Sequence, residues 1–405
     1  MPHSRGRSII AMIQGVPLLH TAEEGSAYFS LALANAIRRL GMNVVIWTKI
    51  RPERFAPQPV PVEAMWTPGY GAWLDLLRAV WAKRPHIVHL QYSMFCLGPK
   101  ASGEFSTLLF VLGAWLLRAN LVITCHDVPS IARITPEFIR QNRYRFPVYV
   151  VKAGLRTIFF FIGFAAKQLI VHHVWLRDTL VSDYRVPERK VRTIPLSAIA
   201  FESYDRDVAR RSLNIAINAK VVLYFGFATG YKGIDELLDA MDVLAKRGTA
   251  VLLVLGAGYH PKKDDNGDYR AYYEALRARA TAMANVDFAG FIESADLDRY
   301  IAAADACIFP YIEFQGMSGP LLQAANHARP LLVSSIIAGS LGRFDASSFA
   351  PTLDGIASAL ERFFHDDAFR ATVLAESAAF ESAAVAVDAA EQTCRVYDSL
   401  GAVRS

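Results

Sequence analysis

The stretch VVLYFGFATGYKGIDELLDAM, residues 221–241, joins a strand pattern to a helix pattern through a loop that contains glycine and lysine. Its first five residues form a continuous apolar run of strand length, which ends at Gly226. A helical pattern begins at Ile234, directly after Lys232 and a further glycine. A junction of this kind turns backbone N–H groups and one ammonium group toward an anion. The stretch therefore predicts an anion-binding turn at the carboxyl end of a buried strand.

A second junction of the same kind follows downstream. An apolar strand pattern at 306–309 ends at Pro310, and a loop that contains Gly316, Ser318 and Gly319 opens the next helix. The carboxyl ends of parallel strands meet at one edge of a sheet, where ligands bind. Two anion-receptive helix starts in one domain therefore predict a diphosphate ligand.

Strand and helix patterns alternate along almost the entire chain, which is typical of α/β proteins with parallel sheets. We predict two doubly wound domains, connected just before the polar stretch 201–218. Residues 51–65 are predicted to be irregular, whereas 136–167 and 366–400 are each predicted to be helical.

Composition narrows the class of protein. The chain has 405 residues, of which 53% are apolar, so it can build two large cores. Its net charge is only +5, which is too small to indicate a nucleic-acid partner, and none is expected. The four cysteines lie far apart and outside any Cys/His cluster, so neither a zinc site nor a disulfide framework is predicted. Three of them are expected to be buried thiols in a reducing compartment, and the start of the chain lacks a signal-peptide pattern. Together these features predict a cytoplasmic protein.

The order and spacing of the motifs resemble the nucleotide-sugar-binding domain of GT-B glycosyltransferases of family GT4. The resemblance is strong over residues 205–335 and weaker but traceable over 9–200. The matching elements are Gly226, Tyr231-Lys232-Gly233, Phe288, Gly290, Ala304-Asp305, Pro310 and Arg329-Pro330-Leu331.

This resemblance implies the GT-B architecture, in which two Rossmann-like domains face a cleft. Residues 1–199 would form the N-terminal, acceptor-binding domain, and 200–382 the C-terminal, nucleotide-sugar-binding domain. Residues 383–405 would form a helix that packs back on the N-terminal domain.

The resemblance also implies roles at the donor site. Lys232 would contact the donor diphosphate beside Gly226, and Thr229 occupies a position where related proteins often carry an arginine. The loop after Pro310 would bind phosphate or sugar hydroxyls through residues Gln315, Gly316, Met317, Ser318 and Gly319.

Two glutamine residues depart from the family pattern. Related proteins often carry two glutamates eight residues apart, and here the matching positions are Gln315 and Gln323. Both amides can still bond hydroxyl groups, but they bring no charge. Glu313 is an alternative to Gln315 if the loop is shifted.

On the N-terminal side, the resemblance implies that His126 faces the cleft and bonds the donor sugar. The ordinary alternative is a histidine that caps the end of a strand, and that alternative is preferred for His20 and His89. Glu24 and Gly25 stand where the family has a glycine-rich loop, and we assign them to the acceptor side.

Taken together, the resemblance predicts a retaining glycosyltransferase that moves a sugar from a nucleotide-diphosphate sugar to a saccharide or lipid-linked saccharide acceptor. No metal and no cofactor are expected, because no DxD carboxylate motif stands in a suitable loop. One rival is a nucleotide-sugar 2-epimerase, which would need carboxylates that we do not find. The other is a non-catalytic GT-B subunit of a polysaccharide assembly system, which Thr229, Gln315 and Gln323 favour.

A basic and aromatic segment, 140–167, adds a candidate membrane partner. It combines Arg140, Arg143, Arg145, Lys152 and other basic residues with many aromatic ones. An amphipathic basic helix suits the surface of an anionic bilayer. A core helix with one solvated face explains the pattern equally well, so both interpretations stay open. If the segment binds the bilayer, the protein would lie peripherally at the inner face of the cytoplasmic membrane.

Overall fold

The computed structural model describes residues 9–14, 25–50, 60–141, 146–195, 202–259, 268–314, 318–385 and 388–402. The chain divides into two compact units. The first contains Met1–Ser197 and Val387–Ser405, and the second contains Ala198–Phe314 and Ser318–Ala386.

The first unit is built on a seven-stranded parallel sheet. Its strands are β1 (Ile9–Ile13), β2 (Asn43–Lys49), β3 (Val62–Trp66), β4 (Ile87–Tyr92), β5 (Leu121–Cys125), β6 (Gln168–Val171) and β7 (Val191–Thr193). Their order is β3-β2-β1-β4-β5-β6-β7, so the direction of winding reverses between β1 and β4. Such a reversal is the switch point of a doubly wound sheet, and ligands bind at the carboxyl ends of strands there.

Helices cover this sheet. They are α1 (Gly25–Arg39), α2 (Ala72–Lys83), α3 (Lys100–Leu116), α4 (Pro136–Gln141), α5 (Val148–Ala165) and α6 (Val174–Ser182). Every residue of β4 and β5 is buried, as expected for central strands with helices on both faces. Among the described helices only α5 is long and apolar enough to cross a membrane by length and composition.

The second unit has a five-stranded parallel sheet in the order β10-β9-β8-β11-β12. Its strands are β8 (Val221–Phe227), β9 (Leu252–Gly258), β10 (Val286–Asp287), β11 (Ala306–Phe309) and β12 (Leu331–Val333). Its helices are α7 (Arg206–Ser212), α8 (Ile234–Lys246), α9 (Asp268–Ala282), α10 (Ser294–Ala303), α11 (Gly319–Asn326), α12 (Ser335–Leu341), α13 (Leu353–His365) and α14 (Asp367–Val385). Here the winding reverses between β8 and β11, which are the two strands that end in the predicted anion-binding junctions.

The last helix, α15 (Ala389–Ser399), belongs to the first unit. Asp388 caps it by accepting a hydrogen bond from the backbone N–H of Glu391 at 2.8 Å. At its other end, the carbonyl oxygen of Leu400 lies 3.3 Å from Nε2 of His86.

The structure corrects several predicted elements. Residues 62–66, predicted to be irregular, form the edge strand β3 because they pair with β2. The predicted helix 136–167 is two helices, and Pro147 stands immediately before the second one, where its fixed backbone angle suits a helix start. The predicted helix 366–400 also divides in two, with Asp388 as the new cap. The polar stretch 201–218 contains the short helix α7.

The matched Ala304-Asp305 motif has a structural role through Asp305. Asp305 accepts hydrogen bonds from the backbone N–H of Val221 at 2.8 Å and from Arg206 and Arg210, each at 3.0 Å. The Arg210 side chain is fully buried and also donates to three backbone carbonyl groups. Asp305 and Arg210 pair with each other, and both bond backbone groups near the starts of the two strands. This part of the motif therefore holds β8 and β11 together at their amino ends.

The prediction that three cysteines are buried is confirmed. Cys125, Cys307 and Cys394 are buried, and Cys96 is half-buried.

Candidate functional site

The predicted anion-binding turn lies at the carboxyl end of β8. Gly226 is near the end of this strand with φ of +137°, a conformation that side chains rarely adopt. A Cβ atom placed on Gly226 would lie 3.9 Å from Nζ of Lys232 and 3.5 Å from Cγ of Pro320. The end of β8, the lysine and the start of α11 therefore come together around this glycine.

Lys232 is almost completely buried, with 8% of its surface exposed. Its ammonium group donates a hydrogen bond of 2.6 Å to the Tyr311 hydroxyl and lies 4.1 Å from the centre of that ring. No carboxylate among the described residues pairs with it. Burial accordingly lowers the pKa of Lys232 below its usual value. A buried cation without a negative partner favours an anionic ligand.

Gly233 fixes the direction in which the loop leaves the lysine. Its φ is +68°, and a Cβ atom there would collide with the carbonyl oxygen of Pro310. Only glycine therefore lets α8 begin immediately after Lys232 while the loop packs against the end of β11.

The start of α11 is connected to the lysine through Tyr311. The Tyr311 hydroxyl is 2.9 Å from Oγ of Ser318, which caps α11 by accepting from the backbone N–H of Leu321 at 3.4 Å. The positive end of a helix dipole thus lies close to the ammonium group. We name Gly226, Thr229, Lys232, Tyr311 and Ser318 the lysine cluster.

The other predicted donor-side residues are placed less closely. Glu313 and Gln323 are half-buried, the first beside Tyr231, whose carbonyl oxygen accepts from the Glu313 N–H at 3.3 Å. Gly319 is the first residue of α11. Gln315, Gly316 and Met317 lie outside the described residues, as does Glu24, while Gly25 is the first residue of α1.

Thr229 adds an unsatisfied polar atom to the lysine cluster. The residue is 3% exposed, and its Oγ1 has no hydrogen-bond partner within the described part of the chain. A buried hydroxyl left unpaired costs about 1–3 kcal/mol. The atom is therefore suited to a ligand or water molecule.

His126 follows β5 in the first unit and takes part in a chain of hydrogen bonds. Its Nδ1 is 3.2 Å from Nε2 of His172, and its Nε2 is 2.9 Å from the Gln91 amide. The other side of that amide is 3.2 Å from Nε2 of His89, whose Nδ1 bonds the Tyr397 hydroxyl on α15. We name these five residues the histidine network.

The three histidines of this network are neutral. Burial lowers the pKa of His89 to about 3 and that of His172 to about 4, and it lowers the pKa of His126 well below its usual value. A neutral ring has one N–H and one acceptor nitrogen, so each bond restricts the next.

The neutral state fixes the direction of the bonds around His126. His172 must donate from Nδ1 to the carbonyl oxygen of Ile194, at 3.0 Å, which leaves its Nε2 to accept from Nδ1 of His126. Nε2 of His126 is then an acceptor, whereas Oε1 of Gln91 lies 2.9 Å from it, so the amide must be turned over to place its NH₂ group there.

Two consequences follow for the rest of the network. After this turn the amide oxygen of Gln91 faces Nε2 of His89, whose N–H has a second acceptor in Oγ1 of Thr124 at 2.7 Å, while Nδ1 of His89 accepts from the Tyr397 hydroxyl. Both ring nitrogens of His126 are therefore engaged within the first unit.

Two carboxyl groups near this network are also perturbed. Glu104 accepts from the Tyr92 hydroxyl and from the Phe95 backbone N–H, yet burial raises its pKa to about 7. Burial likewise raises the pKa of Asp127. The described residues contain no group of three or more side chains suited to a metal ion.

Comparison with known proteins supports one family. A family profile described as "Glycosyl transferases group 1" matches residues 219–366, and one described as "Glycosyltransferase Family 4" matches residues 24–197. Together the two matches support a GT4-like glycosyltransferase of the GT-B fold. The first match contains the lysine cluster and the second contains most of the histidine network.

Solved structures agree with this fold. A sucrose-phosphate synthase from Thermosynechococcus elongatus superposes with a TM-score of 0.74 at 19% identity, covering 97% of this chain and 99% of its own. The Anabaena protein HepE in complex with UDP-glucose gives a TM-score of 0.67 at 15% identity, with 98% and 100% covered. At these identities the likeness concerns the fold.

One curated relative is similar in sequence. An uncharacterized glycosyltransferase of Methanocaldococcus jannaschii is 27% identical over 175 residues. The match spans 42% of this chain and 42% of the relative's length.

Sequence reasoning misses part of the histidine network of this GT4-like chain. It prefers a structural role for His89 and assigns none to His172. In the structure His172 contacts His126, while the neighbouring His173 caps α6. The missed signal is that polar residues end three neighbouring strands, because Gln91, His126 and His172 all lie at the carboxyl ends of β4, β5 and β6.

Proposed function

We propose that this protein transfers a sugar from a nucleotide-diphosphate sugar to a saccharide or lipid-linked saccharide acceptor, with retention of anomeric configuration and without a metal ion. The observation that carries the proposal is the buried ammonium group of Lys232, which has no acidic partner among the described residues and lies at the start of α11. HepE, which shares the fold, was solved with UDP-glucose. That likeness favours a nucleotide sugar as the anion.

In the proposed reaction the lysine cluster holds the donor diphosphate. As the bond between the anomeric carbon and the diphosphate oxygen breaks, negative charge develops on that oxygen, and Lys232 stabilises it. The acceptor hydroxyl oxygen bonds the anomeric carbon on the same face, and the leaving phosphate takes the hydroxyl proton. The chain then needs no side-chain nucleophile.

Three further site residues belong to the same proposal. Glu313, Gln315 and Gln323 are our candidates for bonding sugar or ribose hydroxyls, and their amide or carboxylate oxygens suit that chemistry. Glu24 and Gly25 remain our candidates for the acceptor side.

His126 is our candidate in the first unit for contact with a sugar. Because both ring nitrogens are engaged, a sugar hydroxyl that bonds Nε2 must replace the Gln91 amide as its donor. His126→Ala should therefore lower turnover strongly while leaving the affinity for a nucleoside diphosphate nearly unchanged.

A second candidate function is a non-catalytic subunit of a polysaccharide assembly system. It is favoured by Thr229, which places a neutral, buried side chain where related proteins often have an arginine. The two functions differ in turnover: the enzyme releases nucleoside diphosphate from a donor, and the scaffold does not.

The deciding experiment incubates the full chain with a panel of nucleotide-diphosphate sugars, beginning with UDP-glucose, and measures release of free nucleoside diphosphate with and without added saccharide acceptors. Release that depends on Lys232 supports the enzyme. Binding in a thermal-shift assay without release from any donor would support the scaffold.

A further inference from the structure

Three neighbouring helices of the first unit form a continuous layer on the sheet. Gly113 of α3 lies so close to Leu77 of α2 that a Cβ atom there would collide with the leucine side chain. On the other side, the rings of Trp115 on α3 and Phe164 on α5 are 5.0 Å apart between centroids. The inner faces of α2, α3 and α5 pack into the core, as shown by buried Leu76, Phe110, Val111, Leu155 and Phe159.

The outer face of this layer is unusually apolar. Trp81 is 66% exposed, Leu116 71% and Tyr149 73%. Further exposed apolar side chains are Tyr70, Leu74, Phe105, Trp115, Leu117, Val150, Phe160 and Phe164. We name this face of α2, α3 and α5 the three-helix surface. Contiguous apolar patches of this kind mark sites of interaction with proteins or membranes.

A groove of about 330 Å³ runs into the three-helix surface between α2 and α3. Its apolar lining consists of Leu74, Leu77, Trp81, Gly113, Leu116 and Leu117. Arg78 stands at its rim.

The charges around the three-helix surface are almost all positive. Exposed or half-buried cations surround it, namely Arg78, Arg84, Arg118, Lys152, Arg156 and Lys167. The sequence of α5 contains no acidic residue. The acidic residue of α3, Glu104, is buried and accepts a hydrogen bond from the Tyr92 hydroxyl. The acidic residue of α2, Asp75, has its carboxylate 3.8 Å from the Arg78 guanidinium group.

We propose that the three-helix surface docks on a bilayer that contains anionic lipids, with Trp81, Trp115 and Leu116 in the interface and the cations against lipid phosphates. Tryptophan, tyrosine and basic side chains suit the boundary between headgroups and acyl chains. A second copy of this chain fits poorly, because a symmetric interface would place these cations against each other.

The helix α5 lies on the membrane in this proposal and does not cross it. Although α5 passes the length and composition criterion for a span, one face of it is packed in the core, including Val151, Leu155, Ile158 and Phe159. The site also differs from the segment indicated by sequence. Arg140 has no described side chain, and Arg143 and Arg145 lie outside the described residues, whereas α2 and α3 contribute three of the six exposed aromatic side chains on the three helices.

The test measures flotation of the full chain with vesicles of phosphatidylcholine alone and with vesicles that contain about a third phosphatidylglycerol. We expect binding only to the anionic vesicles and weaker binding at higher salt. The triple variant Arg118→Gln, Lys152→Gln, Arg156→Gln should lower the partition coefficient on the order of a hundredfold, because each cation contributes about 1 kcal/mol. Trp81→Ser with Leu116→Ser should lower it at both high and low salt.

Matched controls use equally exposed side chains elsewhere. Arg277→Gln with Arg395→Gln should leave binding unchanged, since these residues are 57% and 69% exposed on α9 and α15. Leu374→Ser, at 47% exposure on α14, should also leave it unchanged.

Absence of binding to anionic vesicles at low salt would overturn the proposal, as would binding that the triple variant leaves unchanged. A stable dimer in light scattering that Trp81→Ser with Leu116→Ser dissociates would assign the surface to a second copy and overturn it as well. None of these outcomes depends on sugar transfer.

Discussion

The lysine cluster of the second unit and the histidine network of the first unit treat buried polar groups in opposite ways. Within the described residues, the lysine cluster buries a cation that has no carboxylate partner and a Thr229 hydroxyl that has no hydrogen-bond partner. In the histidine network three neutral rings and one amide form a chain of hydrogen bonds that runs from the Ile194 carbonyl group to the Tyr397 hydroxyl. The first arrangement costs stability and suits a ligand, whereas the second stabilises the fold and holds His126 in one orientation.

The largest expected effect concerns pH and the histidine network. The folded pKa values of His89 and His172, about 3 and 4, lie below the ordinary value of 6.5, so the unfolded chain binds more protons between those values. Stability should therefore fall as the pH drops below 6.5. For these two rings the loss between pH 7 and pH 5 should be about 4 kcal/mol.

Urea unfolding of the wild type, His89→Gln and His172→Gln at both pH values measures this loss. Glu104 acts with the opposite sign, because its raised pKa stabilises the fold as the pH falls toward 4.5. The difference between each variant and the wild type removes that contribution. A pH dependence that is the same in all three proteins would contradict the neutral network.

The next effect concerns the direction of the hydrogen bonds. In Gln91→Glu a carboxylate replaces the amide and can only accept, so His126 must carry its proton on Nε2. Two acceptor nitrogens of His126 and His172 then face each other unless a proton binds between them. We expect the variant to lose about 1–3 kcal/mol of stability at pH 8 and to raise the pKa of His126.

Nitrogen-15 NMR of labelled histidine can follow this change. The wild type should show the proton of His126 on Nδ1, and the Gln91→Glu variant should show it on Nε2. Gln91→Met serves as the control, because it removes the amide without adding charge. A wild-type proton on Nε2 would be incompatible with the assigned directions.

A smaller effect of opposite sign is expected in the lysine cluster. Lys232→Met keeps the length of the side chain and removes the unpaired buried charge, while the Tyr311 hydroxyl keeps Ser318 as its partner. The ligand-free protein should be stabilised by about 1–2 kcal/mol. Thermal unfolding without ligand gives the sign, and Lys246→Met on the exposed face of α8 is the control. Destabilisation by Lys232→Met would mean that the ammonium group is satisfied in the free protein.

The smallest effect concerns Thr229. Thr229→Val keeps the shape of the side chain and removes the unpaired hydroxyl, so the free protein should gain up to about 1 kcal/mol. If a ligand bonds this hydroxyl, the same variant should bind UDP several-fold more weakly. Calorimetric titration of UDP and urea unfolding of the same samples test both parts. A loss of stability without ligand would show that Oγ1 has a partner.

The fold could be predicted from sequence because its signals are local. Apolar runs such as 221–225 and 306–309, each followed by glycine or proline and a helix pattern, predict parallel strands without knowledge of the tertiary structure. Errors occurred where tertiary contacts decide the outcome. The edge strand 62–66 forms by pairing with β2, and α7 is fixed by the ion pair between Arg210 and Asp305.

The same distinction applies to the candidate sites. The lysine cluster was largely predictable, since Gly226, Thr229 and Lys232 lie within seven residues of one another. Tyr311 was missed because nothing in the sequence shows that its hydroxyl bridges Lys232 and Ser318. The histidine network joins residues up to 308 positions apart, so spacing alone carries no signal for it.

The central claim is that Lys232 is a binding site for a diphosphate, and titration calorimetry of UDP into the wild type and Lys232→Met tests it most directly. A charge-assisted hydrogen bond contributes roughly 1.5–3 kcal/mol, so the variant should bind UDP roughly ten- to a hundredfold more weakly. The wild type should also bind more weakly as the pH rises through the lowered pKa of Lys232. Equal affinity of the two proteins for UDP, with both folded, would contradict the account.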